Sequence, residues 1–187
     1  MRKLLLVIPL LVMGAVTPLM AAEPLTEEVA ATLQFMREEE KLAHDVYLLF
    51  SEMYAGQASR SKIFAQIAES EQRHTDAVKG LLEKYGIVDP AAATTAGEFV
   101  DDDLQALYDT LVDVGTAGFT EALGVGVIIE QKDMTDIVDA IEVSAAYADI
   151  VRVYSNLLTG SEHHLSAFLK ALDATEQGSA SARGKGR

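Results

Sequence analysis

The chain contains no cysteine, which excludes disulfides, thiolate metal sites, a cysteine nucleophile and lipid attachment through a thiol. Tryptophan is also missing, and aromatics make up only 6% of the residues, a composition that suits packed helices better than a β-sandwich. Four prolines in 187 residues leave long stretches uninterrupted, and the runs of Ala, Leu, Glu and Lys favour helix. Basic side chains are scarce: 15 Lys and Arg stand against 29 Asp and Glu, for a net charge of −14. Such a surface repels phosphate backbones and argues against nucleic acid as a partner. Cations are what it attracts, although acidity can also serve solubility alone.

Hydrophobic residues, 49% of the chain, are enough for one well-cored domain. The first 22 residues stand apart. Arg2 and Lys3 precede an apolar run from Leu4 to Val16, and the small residues Ala21 and Ala22 follow. These are the three parts of a secretory signal peptide, and the run is short for a transmembrane helix. Cleavage near residue 22, export to the periplasm or beyond, and no membrane contact afterwards are the expectation. An uncleaved anchor is the alternative, because Leu19 or Met20 would occupy a position where cleavage sites prefer a small residue.

From Thr26 the apolar residues fall into helical stripes. Thr26 suits an N-cap, with Glu27 and Glu28 in the first turn where the helix dipole favours acids. The first stripe reads Val29, Leu33, Met36, Glu40, Ala43, Tyr47, Phe50, and the helix ends near Ala55-Gly56. A second begins near Ser59 to Ser61 and carries Phe64, Ile67, Glu71, His74, Val78 and Leu81 up to Tyr85-Gly86. A long connection with a short helix over about Leu104 to Val114 follows. The third long helix starts near Thr116 to Phe119, with Leu123, Gly126, Glu130, Asp133, Ile137 and Ile141 on its stripe. Gly124 and Gly126 predict a bend or a close helix contact just before Glu130. Ser144 reads as the cap of the fourth, whose stripe holds Tyr147, Ile150, Tyr154, Leu157, Ser161, His164, Phe168 and Ala171. The domain is expected over 23–173, and 174–187, rich in small residues and basic, as a flexible tail.

Each stripe is charged or polar only at its middle. Glu40, Glu71 and His74 repeat in spacing as Glu130, Ser161 and His164: the second member follows by 31 residues and the third by 34. A Glu from one helix and a Glu-x-x-His from its partner make a metal half-site inside a bundle. The chain carries that pattern twice, once with Ser161 in place of the second Glu. In an antiparallel hairpin, residues equidistant from the turn share a depth. The midpoints fall between Ala55 and Gly56 and between Ala145 and Ala146, beside the turns placed independently. A buried hydrogen-bonded network is the competing reading. It leaves four acids, counting Asp133, against two imidazoles, and burying uncompensated ions costs several kcal/mol. One or two divalent cations would supply the missing charge. His44 and His163 lie off the stripes, Glu38, Glu39 and Glu162 read as solvated faces, and Tyr47 and Tyr154 read as plain core.

The segments Met36 to Ala43, Ile67 to His74, and Tyr154 to Leu158 continuing through Gly160-Ser161 to His164-Leu165 resemble secreted ferritin-like proteins of the DUF2202 family. The resemblance covers about Leu25 to Leu172. It implies an all-α ferritin-like four-helix bundle of two antiparallel hairpins, joined by a long crossover containing a short extra helix. It also implies a carboxylate-bridged di-metal centre, with Glu40 as a terminal ligand, Glu71 bridging and His74 completing the first position. Glu130 and His164 would hold the second. The full ferritin-like pattern expects Glu where this chain has Ser161, and Asp133 is the candidate for the missing oxygen. Two divalent ions are expected, iron first, with manganese and zinc as the other candidates. The matching functions are Fe(II) oxidation or consumption of O2 or peroxide. A non-enzymatic metal- or partner-binding bundle, a purely structural polar seam and a homo-oligomer all stay open.

Overall fold

Thr26 opens the first helix as its sequence predicts: its hydroxyl accepts a hydrogen bond from the Val29 amide at 3.2 Å. In a computed structural model describing residues 24–56 and 62–184, the elements are α1 (Glu27–Met53), α2 (Lys62–Tyr85), α3 (Asp102–Thr116), α4 (Phe119–Val143) and α5 (Ala148–Gly184). A 3-10 turn at Pro90–Ala92 lies in the α2–α3 connection. Among the described residues there is no strand, and no helix is long and apolar enough to cross a membrane. The proposed signal segment lies outside the described residues.

α1 packs along α2 and α4 along α5, giving two antiparallel hairpins that meet through α1 against α4 and α2 against α5. Gly86 ends α2 with φ +68, a left-handed conformation that disfavours any residue with a Cβ. Two sequence readings need correcting. Ser144 is the C-cap of α4, its amide bonded to the Ala140 carbonyl, and not the start of α5. The stretch expected to be a flexible tail from 174 continues α5 as far as Gly184. Ala174, Glu176 and Gln177 are good helix formers and extend the packed helix past its last core residues.

The stripes point inward as written. All seven residues of the α1 stripe, and all six of the α2 stripe, are buried. They build two apolar layers. One holds Phe50, Tyr54, Phe64, Leu104, Leu123 and Phe168, and the other Val29, Leu33, Val78, Leu82, Ile137 and Tyr154. Each large apolar side chain fully buried contributes about 1.5–3 kcal/mol relative to exposure. Polar mid-stripe residues are thereby held between two layers that exclude water.

Glu38 and Glu39 are not on a solvated face; they are 3% and 4% exposed. The crossover from α2 to α3 lies along the outer side of α1 and covers Glu38. Glu38 accepts hydrogen bonds from the amides of Val100 at 2.6 Å and Asp101 at 3.1 Å. On the same side Arg37 pairs with Asp89 at 3.1 Å, Lys41 donates to the Thr95 carbonyl, and Asp45 accepts from the Gly97 amide. This second, polar stripe of α1 satisfies the backbone of a segment that has little secondary structure of its own. At the far end Gly115 allows α3 to approach, since a Cβ there would stand 2.0 Å from the Phe50 ring.

Candidate metal centre

Glu40 on α1, Glu71 and His74 on α2, Glu130 on α4 and His164 on α5 converge at one level between the two apolar layers. Their ligand-bearing atoms form two sets, Glu40–Glu71–His74 and Glu71–Glu130–His164, each within 4.8 Å. Glu71 belongs to both. Its Oε2 lies 2.8 Å from His74 Nδ1, and its Oε1 lies 2.6 Å from His164 Nδ1. Glu40 Oε2 is 3.2 Å from His74 Nδ1, and Glu130 Oε2 is 3.5 Å from His164 Nδ1. The imidazoles stack with centroids 5.5 Å apart. Helical periodicity explains each pair: Glu71 and His74, three residues apart, share one face of α2.

Gly160, next to Ser161 on α5, has a structural role at the site. A Cβ on it would meet His74 Nε2 at 2.5 Å, so the His74 ring rests against the bare backbone of α5. Gly126 admits Phe168 in the same way, at 2.6 Å, and this is the close helix contact expected before Glu130. Gly124 has no such neighbour. Tyr47 does more than fill the core: its hydroxyl donates to Glu130 Oε1 at 2.7 Å. Its place on the α1 stripe, two turns beyond Glu40, was the available signal. Tyr154 is buried, and its hydroxyl has no hydrogen-bond partner among the described residues. His44 bonds Asp45 on the flank of α1, and His163 and Glu162 are exposed, as their off-stripe positions predict.

Asp133 is buried beside these five residues but is outside both converging sets. Its Oδ2 accepts a hydrogen bond from Ser161 at 2.5 Å, which joins the residue at the missing-carboxylate position to the one expected to replace it. Its Oδ1 has no hydrogen-bond partner. Burial, and then repulsion from Glu40, Glu71 and Glu130, pushes its carboxyl well above the usual range.

The charges resist being left to themselves. Burial, with repulsion from Glu71 adding to it, pushes Glu40 up to about 8 against the pull of His74. Burial likewise takes Glu130 to about 7. Burial would raise Glu71 also, but His164 and His74 overcome it and bring it down to about 2. Burial opposes charge on both imidazoles. Glu40 and Glu71 nevertheless lift His74 to about 11, and Glu130 and Glu71 lift His164 to about 9.

A pH dependence follows. His74, His164, Glu40 and Glu130 all hold protons more tightly folded than unfolded. Their stabilisation is complete below the unfolded values and disappears as pH rises through about 7 to 11. Glu71 acts oppositely, and its contribution is lost only as pH falls from its ordinary value of 4.5 toward about 2. Thermal melts in chelator should therefore show the metal-free chain losing stability from about pH 5 to about pH 9. Saturating metal should flatten or reverse that trend, because cations replace the protons. A melting temperature that rises with pH in chelator would contradict this charge arrangement.

Fold and site together define an all-helical protein with a buried carboxylate–imidazole cluster able to hold metal. The chain belongs to the family described as uncharacterized protein domain DUF2202, whose profile matches residues 29–182. It is 43% identical over 151 residues to the uncharacterized protein MJ0754 of Methanocaldococcus jannaschii, spanning 81% of this chain and 78% of the relative. A crystal structure of hypothetical protein MJ0754 from Methanococcus jannaschii aligns with a TM-score of 0.75 at 43% identity. That alignment covers 82% of this chain and 85% of the other.

Proposed function

We propose that this is an exported, ferritin-like carboxylate protein that holds two divalent metal ions, iron first, and oxidises Fe(II) or consumes O2 or peroxide. The observation that carries the reading is Glu71, one carboxylate shared by two sets of ligand atoms. Donor chemistry fits: carboxylate oxygens and imidazole nitrogens suit iron, manganese and zinc. So do the unsatisfied atoms. Glu40 Oε1, Glu71 Oε1 and His164 Nδ1 are buried without a hydrogen-bond partner, although the last two are only 2.6 Å apart. Buried donor atoms left without a partner are what a bound metal ion would satisfy.

Glu40 and His74 would hold one ion and Glu130 and His164 the other, with Glu71 between them. Iron bound there would supply one-electron exchange between the ferrous and ferric states. The chain's own residues do the rest. Tyr47 fixes the orientation of Glu130, Gly160 leaves room for the edge of the His74 ring against α5, and the apolar layers keep water from competing for the ligands. Export is part of the proposal and rests on the three-part pattern of residues 1–22.

One preparation tests all of this. Protein recovered from the exported fraction should begin near Ala22 or Glu23. Elemental analysis after anaerobic purification should find two metal equivalents, and added O2 or peroxide should oxidise bound Fe(II). Protein that takes up no metal would overturn the centre, and redox-inert metal would leave a binding protein in place of an oxidase. Intact Met1 in a soluble cytoplasmic fraction would overturn export.

A further inference from the structure

α4 carries a carboxylate at every third position from the surface to the centre: Asp139, Asp136, Asp133 and Glu130. Asp139 is exposed, Asp136 half-buried, Asp133 buried, and Glu130 belongs to the metal cluster. Each step rises roughly 4.5 Å along the helix. The outer end opens into a groove of about 330 Å³ between α1 and α4, lined by Thr32, Phe35, Met36, Asp136 and Asp139. Next to the groove, on α1, Glu39 shares the Lys132 ammonium with Asp136. It is 4% exposed, and its Oε2 has no hydrogen-bond partner. Its Oε1 lies 2.5 Å from Lys132 Nζ, and the same ammonium contacts Asp136. Asp133 is near enough to Glu39 for the two carboxylates to repel each other, and its own Oδ1 is buried and unpartnered.

We propose that Asp139, Asp136, Glu39 and Asp133 form the route by which divalent cations reach the centre, with the Lys132 ammonium as the displaceable counter-ion that closes it. The proposal rests on the metal-centre reading above. Two buried carboxylate oxygens without partners lie between the groove and the ligands, in the direction a cation would travel. Lys132 itself is suited to leave. Its side chain is 38% exposed, its charge sits 5.1 Å from the Phe35 ring at the groove wall, and its stem is flexible. A divalent ion arriving at Asp136 and Glu39 replaces one positive charge with two.

Stopped-flow mixing of metal-free protein with Co(II), followed by its visible absorption, tests the route, with equilibrium titration and circular dichroism run in parallel. Glu39→Gln and Asp136→Asn should slow uptake by about tenfold or more, leaving final stoichiometry and helicity as in the wild type. Lys132→Met should speed uptake. Asp173→Asn, an equal loss of charge on an exposed turn of α5, should leave the rate unchanged. Wild-type rates in Glu39→Gln and Asp136→Asn, or slower uptake in Lys132→Met, would overturn the route and leave the centre standing. Equal slowing in Asp173→Asn would reduce the effect to net charge and overturn the route as well. No cobalt uptake by the wild type would overturn the centre first, and the route with it.

Discussion

Glu71→Ala should remove metal from both positions, although the other four ligands are untouched. Glu71 is the only residue common to the two ligand sets, and its two oxygens face opposite imidazoles at 2.8 and 2.6 Å. Loss of a group that merely supports a ligand costs about 10–100-fold in affinity, so loss of a shared ligand should exceed that at each position. Glu40→Ala, by contrast, should weaken only the position that includes His74. Elemental analysis after dialysis, with Co(II) titration, separates the outcomes: two equivalents in the wild type, one in Glu40→Ala and none in Glu71→Ala. One tightly held equivalent in Glu71→Ala would show that the bridge is not shared.

The second large effect concerns Ser161 and Asp133. A glutamate at 161 would complete the symmetry of the two triplets, and on sequence grounds it should strengthen the second metal position. The structure changes that expectation. Ser161 is fully buried, and its hydroxyl is already committed to Asp133 at 2.5 Å. Ser161→Glu alone places another carboxylate against Asp133 in a site that excludes water. The metal-free protein should lose about 3–5 kcal/mol of stability, the usual consequence of an uncompensated buried charge. Adding Asp133→Ser exchanges donor and acceptor across the same contact and should restore most of that stability. It should also return metal to the Glu130–His164 position. Denaturant melts of both single variants and the double variant check this. Stability losses that add within about 0.3–0.5 kcal/mol would show the pair to be uncoupled.

The five residues of the cluster were legible because helices are periodic and hairpins fold back at equal depth. Glu40, Glu71, His74, Glu130 and His164 all lie on stripes that, apart from Asp133 and Ser161 beside them, are apolar or aromatic. The first two members of each triplet lie equally far along the hairpin from the turn, so pairing the helices aligns them, and the histidine follows three residues on along the same face. No side-chain geometry was needed for that. Glu38 and Glu39 were illegible for the complementary reason. Three consecutive glutamates cover 200° of helix, and the apolar stripe accounts for only one of them. The other two are buried by partners distant in sequence: amides at 100 and 101 for Glu38, and Lys132 for Glu39.

What the sequence by itself determined is the all-helical architecture, the inward face of each long helix, and the shared depth of the polar residues. Each of these depends on local periodicity and on chain length between turns. Tertiary structure alone decided how the crossover runs along α1, which of Glu71's oxygens meets which imidazole, and that Ser161 binds Asp133. It also decided that Gly160 yields its space to His74 and that Lys132 pairs with Glu39. Apart from the Glu71–His74 pair on one helix, these contacts join residues 28 to 93 positions apart. They are set by how the two hairpins dock, and docking is fixed by side-chain shape and charge across interfaces that no periodic pattern encodes.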